Sequence, residues 1–436
     1  MIELIGIILS LFTFLIFSIF PLPVNFSDKF LSKYKFYKYD FLLINLLINF
    51  VLLLLLSFTE INLSYYFIFL VLLSLSFNLI SLIRDTTYFS RFNEINFLYF
   101  IILNLIIFIF IAKEPTLSWD SQKNWFYKAQ SFFYNYNFFD LDKMLGVDYY
   151  PHLGPYLWGF FWKNSLLNYE YSGRFIYIFV FLLSIFSICD HLNVKKYIKA
   201  LVITIVLLVS FDNFLFKGYQ EVLIFSLLIF ASKNIYNYIL YQKKLYLILC
   251  FICLNLLPWI KNEGYLFLII FIISQLLIIN KFPKKLEIIL FIFSSIFLLL
   301  IKKLLFLNYL EINLMHSGNI NLAITMNDFM NYIISIFKGF IVAVFKYKIW
   351  IFIFLSMFFI SKNKKINRKD NLFINFLKIN MLLYFFLILG IYFSVADHIY
   401  GIEWWIDNSL DRILYQVSGL FIIYIVLAVN YLKIKL

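Results

Sequence analysis

Apolar runs of close to twenty residues recur along the chain, separated by short segments in which lysine, asparagine and aspartate gather. At about 1.5 Å per helical residue, such a run matches the ~30 Å hydrocarbon core of a bilayer. Backbone amides in lipid must pair within their own segment, so each run is predicted to be an α-helix. The short alternating segments of a membrane β-barrel do not occur. Hydropathy places about thirteen spans, near residues 2–20, 41–58, 62–83, 96–112, 173–189, 197–211, 218–238, 245–260, 264–280, 286–304, 347–361, 373–395 and 413–432. The predicted fold is an all-α polytopic integral membrane protein, with residues 1–436 forming one transmembrane domain.

The loops orient these spans. Lys29, Lys33, Lys35 and Lys38 share one loop, and Arg84 and Arg91 follow the third span. Later basic loops hold Lys195/Lys196/Lys199, Lys243/Lys244, Lys281/Lys284/Lys285 and Lys362–Lys369. Cytoplasmic loops carry an excess of Lys and Arg. Placing all of these in the cytoplasm puts the N-terminus outside and the C-terminus inside, as in a multi-pass protein of a bacterial inner (plasma) membrane. The first run, Ile2 to Phe20, lacks a basic leader and a small-residue cleavage site and reads as a retained helix. Residues 329–344 are apolar enough to span, but a span there would carry the Lys362–Lys369 run to the wrong side. That segment is predicted instead to be an amphipathic helix on the outer surface, with Lys338 turned to water. Two extracytoplasmic elaborations result: a large loop over 113–172 with amphipathic helices, and a second segment over 303–346 with an interfacial helix.

Composition agrees with this class and filters the candidate chemistry. Apolar residues are 63% of the chain and charged residues 14%, too little polar surface for a soluble domain of this length. The 57 Phe and 32 Tyr against 12 Gly resemble usage in an A/T-rich genome. Trp, Gly, Pro, His, Arg, Asp and Glu are therefore the more informative residues. A net charge of +13 could suggest nucleic acid, but the lysines sit in loops between spans, so no nucleic-acid partner is expected. Cys250 and Cys253 form a C-x-x-C inside an apolar run, where apolar filler is the better reading.

The outer face collects the candidate site. Asp120, Asn124 and Lys128 recur every four residues and would share one helical face, flanked by Trp119, Trp125, Phe126 and Tyr127. His152 lies in the Pro- and Gly-dense stretch from Tyr150 to Gly159, a fixed turn before a membrane-dipping segment. Glu221 opens one span, Lys261-Asn262-Glu263-Gly264 joins two others, and Asp411-Arg412 begins the last. A carboxylate at a membrane edge is expensive unless it pairs or works. Lysine placement alone brings Asp120, His152, Glu221, Lys261, Glu263 and Arg412 to one leaflet, whereas ion pairs kept only for packing would have no reason to share a side.

The string Trp119-Asp120-x4-Trp125-x2-Lys128-Ala129, the Tyr150-Pro151 turn, Gly218-Tyr219-x-Glu221, Lys261-Asn262-Glu263-Gly264 and Ser409-Leu410-Asp411-Arg412 occur in this order over most of residues 115–415. In that order they resemble a bacterial branch of the C-type (GT-C) glycosyltransferase superfamily, which includes protein mannosyltransferases and aminoarabinose transferases. The Gly-Tyr-x-acid motif has Glu221 where the branch usually has Asp, and Asp120 follows the fourth predicted span rather than the first. The resemblance implies GT-C-like architecture and sugar transfer from a polyprenyl-phosphate donor to a glycan, lipid or protein acceptor on the extracytoplasmic face. It makes Asp120 the general base and Arg412, Lys261 and more weakly Lys128 ligands of the donor phosphate. Asn124, His152, Glu221, Asn262, Glu263 and Asp411 would bind sugar or support the site. Glu221 and Glu263 could bind sugar hydroxyls, orient a cation or hold a divalent metal (Mg or Mn). Two carboxylates without a His/Asp cluster do not decide between these. The competing classes are a transporter or flippase for lipid-linked glycans and a non-catalytic scaffold of envelope glycan assembly.

Overall fold

A computed structural model describes residues 2–22, 38–84, 95–145, 150–192, 194–211, 216–309, 326–362, 366–394 and 401–432. Lys29, Lys33, Lys35, Arg91, Lys364, Lys365 and the middle of the expected 303–346 segment lie outside these residues. The described residues form helices and turns with no strand, as the pairing demands of a bilayer require. In chain order the helices are α1 (Ile2–Ile19), α2 (Lys38–Leu56), α3 (Leu63–Arg84), α4 (Ile95–Lys113), α5 (Tyr127–Phe133) and α6 (Leu153–Lys163). Next come α7 (Glu170–Cys189), α8 (Lys196–Ser210), α9 (Glu221–Tyr241), α10 (Lys244–Ile260), α11 (Glu263–Leu277) and α12 (Lys285–Leu304). The last six are α13 (Met326–Lys346), α14 (Lys348–Lys362), α15 (Arg368–Ser394), α16 (Gly401–Trp405), α17 (Asp411–Phe421) and α18 (Ile423–Tyr431).

Among the described residues seven helices are long and apolar enough to cross a membrane, or up to nine if each of two bent pairs is one span. This establishes a helical membrane protein, and length alone does not reach thirteen spans. Glu3–Ile19, Lys244–Ile260 and Glu263–Leu277 are apolar but shorter, and α8 has only 15 residues, roughly 22 Å of helix. The expected span 413–432 is two helices, α17 and α18, bent by 41°. The break between α13 and α14 is sharper, at 92°, so α13 lies across the direction of α14 and the two do not form one straight rod.

Helices α7 and α9 are the centre of the bundle, buried along almost their whole length. Around α9 pack α7, α10 and α17, while α6 bridges α5 and α7. Gly419 on α17 faces the backbone carbonyl of Phe225 on α9, and a Cβ there would collide with that oxygen. This close approach packs the end of α17 against the second turn of α9. Arg174 anchors the 113–172 segment to the bundle: it pairs with Glu170 at 2.7 Å and donates to the carbonyls of Thr116 (3.0 Å) and Phe216 (2.6 Å). The large predicted loop is thus built of short helices packed onto α7.

Candidate active site

Three helix starts and one wide helical turn meet at one end of the bundle. Gly218, with φ of +77°, makes the left-handed turn that launches α9 and leaves Glu221 in its first turn. Glu263 and Asp411 likewise sit in the first turns of α11 and α17, where the helix dipole favours negative charge. Asp120 precedes a π-helical turn over Ser121–Phe126, and Arg412 follows another over Ile406–Leu410. Ser118 ties the first of these to the α9 launch through its backbone amide, which donates to the Lys217 carbonyl at 3.2 Å.

The charged side chains alternate in sign. Glu263 and Glu221 both contact Lys261 Nζ, each at 2.8 Å. Glu221 also lies 3.6 Å from Arg412, and Arg412 forms an ion pair with Asp120. Tyr219 places its ring 5.5 Å from the Arg412 guanidinium. The series Glu263–Lys261–Glu221–Arg412–Asp120 therefore holds three carboxylates and two cations, a net charge of −1. Glu221 is fully buried at the middle of the series, whereas Glu263 and Asp120 at its two ends each keep 27% of the side chain exposed. Burial works against the charge of Lys261, but Glu221 and Glu263 outweigh it and hold its pKa above the ordinary lysine value. Two buried acceptors beside it, Glu221 Oε2 and Asn262 Oδ1, have no hydrogen-bond partner among the described residues. Buried polar atoms are rarely left so, and a polyhydroxylated ligand would supply the missing donors.

Other expected members of the site lie elsewhere. Asp120 stays partly exposed at the head of the π-helical turn, while Lys128, beyond it, is fully buried. Asn124 is buried, and Lys128 Nζ donates to the Tyr150 carbonyl at 2.6 Å. His152 is buried, bonds Ser57 Oγ through Nε2 at 2.8 Å and is walled by Phe58, Phe132, Phe138 and Trp259. Burial, aided by Lys128 and Lys302, pushes its pKa well below the usual histidine range and keeps it neutral. His152 thus fastens a turn in an aromatic setting. Asp411 accepts from the Arg412 backbone N–H at 2.6 Å and pairs with Lys346 of α13.

Three features escaped the sequence reading. Lys302, buried at the end of α12, donates to the Pro258 carbonyl and lies 4.2 Å from the Tyr265 ring and 5.3 Å from the Trp259 ring. An apolar groove of about 380 Å³ is lined by Trp350, Phe354, Tyr384, Phe385, Leu414, Val417 and Phe421, with Lys378 as the one charged residue among those lining it. Leu414, Val417 and Phe421 lie on the face of α17 that carries Asp411, while Arg412 turns toward α9. The third is a buried network at the opposite end of the bundle. Asp40 pairs with Lys233, Ser187 bonds both, and Asp190 pairs with Lys199 at 2.9 Å. Buried ion pairs are therefore found at both ends of the bundle. The signal for this network was Lys233, a lone lysine inside the apolar stretch from Val222 to Ile239.

Among the described residues no group of three or more His, Cys, Asp and Glu side chains is placed to hold a metal ion. Asp120, Glu221 and Glu263 are each paired with a cation. Compared with protein-family models, curated proteins and solved structures, the chain matches none.

Proposed function

We propose that the chain is a membrane glycosyltransferase of GT-C-like architecture that moves a sugar from a polyprenyl-phosphate donor to an acceptor hydroxyl on the extracytoplasmic face. The observation that carries this reading is the alternating charge series that ends in Asp120 and leaves Glu221 Oε2 and Asn262 Oδ1 as unmatched acceptors. The apolar groove along α14, α15 and α17 suits an isoprenoid chain, and α17, which lines it, begins at the Asp411–Lys346 pair. Asp411 and Arg412 are consecutive, so a phosphate emerging there meets Arg412 over the first turn of α17.

The mechanism follows from competition for Arg412. Without donor, Asp120 is held in its ion pair with Arg412. A donor phosphate takes the guanidinium fork, which Arg offers bidentately, and frees Asp120. The acceptor oxygen then bonds to the anomeric carbon as the bond from that carbon to the phosphate oxygen breaks. Asp120 takes the acceptor proton, and the leaving lipid phosphate gains a negative charge, which Arg412 and Lys261 stabilise. Replacing Arg412 with Lys is accordingly expected to weaken donor binding by about tenfold or more, since an ammonium does not reproduce the fork. Titration of the purified protein with a polyprenyl-phosphate sugar measures this, and unchanged binding would make Arg412 a packing residue.

The topology belonging to this proposal has about thirteen helical passes, N-terminus outside and C-terminus cytoplasmic, with α13 on the outer surface. After the buried Cys189, Cys250 and Cys253 are changed to Ala, Asp142→Cys is expected to react with an impermeant thiol reagent added outside. Lys369→Cys is expected not to react. Labelling of both positions would divide the site between two faces and end the proposal. A transporter of lipid-linked glycans is the second reading. Arg368, Asn371, Asn375 and Lys378 recur at three- or four-residue spacing on α15 and run toward the apolar groove, a stripe that could pass a polar headgroup. Donor scrambling in proteoliposomes that is lost in Lys378→Leu would favour it.

A further inference from the structure

A cavity of about 700 Å³ opens at the end of the bundle opposite the charge series. The last turn of α9 (Ile239, Gln242), the turn from Asn280 to Pro283 and one face of α15 (Arg368, Asn371, Leu372, Asn375) surround it. Three cations, Lys281, Arg368 and Lys369, and four carboxamides line it, and no carboxylate does. Two neighbouring lysines are already in use: Lys369 donates to the Leu240 carbonyl at 2.6 Å and Lys284 to that of Gln242 at 2.9 Å. The nearby acids are also in use. Glu287 takes Lys284 at 3.4 Å and Tyr238 at 3.1 Å, and Asp370 takes Tyr431, Tyr236 and Asn367. The side chains of Lys281 and Arg368 have no acidic or hydrogen-bonding partner among the described residues.

We propose that this cavity binds the phosphate headgroup of an anionic phospholipid in the leaflet opposite the candidate active site. Two uncommitted cations among carboxamide donors make the chemistry of a phosphate seat. Several features favour a lipid over a soluble phosphate. Ile239, Phe282, Pro283 and Leu372 give the cavity an apolar side. The turn that carries Lys281 is flanked by Leu276, Leu277 and Leu286, all strongly exposed and therefore facing lipid in a membrane. Basic pockets between helices at a cytoplasmic surface are suited to such headgroups, and the lysine-rich loops assign this end to the cytoplasm. The site does not depend on the glycosyltransferase reading.

The test is native mass spectrometry of the full chain, delipidated in detergent and titrated with phosphatidylglycerol, cardiolipin or phosphatidylcholine. Each Lys or Arg near a membrane surface contributes roughly 1 kcal/mol to anionic lipid binding, about fivefold in affinity. The double variant Lys281→Gln/Arg368→Gln should thus bind the anionic lipids about thirtyfold more weakly. The charge-preserving Lys281→Arg/Arg368→Lys should retain most of the binding, and Lys195→Gln/Lys196→Gln should leave it unchanged. Size-exclusion profiles and melting temperatures show whether each variant is folded. Equal binding of phosphatidylcholine by the wild-type chain, or undiminished binding of anionic lipid by a folded Gln variant, would overturn the proposal. Displacement of bound lipid by millimolar inorganic phosphate would also overturn it, by assigning the site to a soluble anion. The wild-type measurements decide even if the Gln variant fails to fold.

Discussion

Asp120→Asn is expected to lower sugar transfer by about 10²–10⁴-fold, the usual contribution of a positioned base, while the protein remains folded. Asparagine keeps the shape of the side chain but cannot accept the acceptor's proton. The substitution removes one of two carboxylates from Arg412 and leaves Glu221 at 3.6 Å. Asp120 is 27% exposed, so solvent screening limits the loss of stability to about 1 kcal/mol. Donor binding provides a second readout. If Asp120 and the donor phosphate compete for Arg412, the Asn variant binds donor at least as tightly as the wild type despite its slow turnover. Transfer from a radiolabelled polyprenyl-phosphate sugar in proteoliposomes, alongside a binding titration, measures both. Turnover within a few-fold of wild type removes Asp120 as the base, and weakened donor binding removes the competition.

The largest effect on stability is expected at Lys261. Lys261→Met leaves Glu221, fully buried, with only the more distant Arg412 to offset its charge. Breaking a buried pair on one side costs about 3–5 kcal/mol, because the remaining charge stays desolvated. The double variant Lys261→Met/Glu221→Gln removes that charge and should recover most of the loss. Lys346→Met breaks a pair in which the lysine is 52% exposed and serves as the control, with a change of about 1 kcal/mol or less. Thermal unfolding in detergent, followed by tryptophan fluorescence, ranks the three. A double variant no more stable than Lys261→Met would mean that Glu221 is satisfied without the lysine.

Much of this could be read from residue order, and what could not has physical causes. Apolar length alone gives the helical membrane class, and the expected spans over 173–189 and 286–304 fall within α7 and α12. Lysine placement grouped Asp120, Glu221, Lys261, Glu263 and Arg412, and all five belong to the charge series. Their pairing was not legible, because Glu221 serves two cations, one from the turn between α10 and α11 and one from α17, which only the packing brings together. The four-residue repeat from Asp120 to Lys128 did not reveal the π-helical turn, because such a turn has the same composition as an α-helical one. His152 misled through proximity in sequence: the turn that holds it delivers the ring to Ser57 and an aromatic wall. The network around Lys233 was missed because a hydropathy average over a long apolar run hides one lysine.

The long sequence separations in these pairs have a consequence for biogenesis. Asp40 emerges from the ribosome 193 residues before Lys233, and Asp120 emerges 292 residues before Arg412. At 5–20 residues per second, these partners arrive roughly 10–40 s and 15–60 s later. The Asp40–Lys233 pair therefore cannot form until more than half of the chain is made, and the carboxylate of Asp40 must wait for its lysine. The charge series closes later still, when α17 lays Gly419 against α9. A chain interrupted before α17 would keep Asp120 and Glu221 without their arginine, an exposed acidic feature by which membrane quality control could recognise an unfinished molecule.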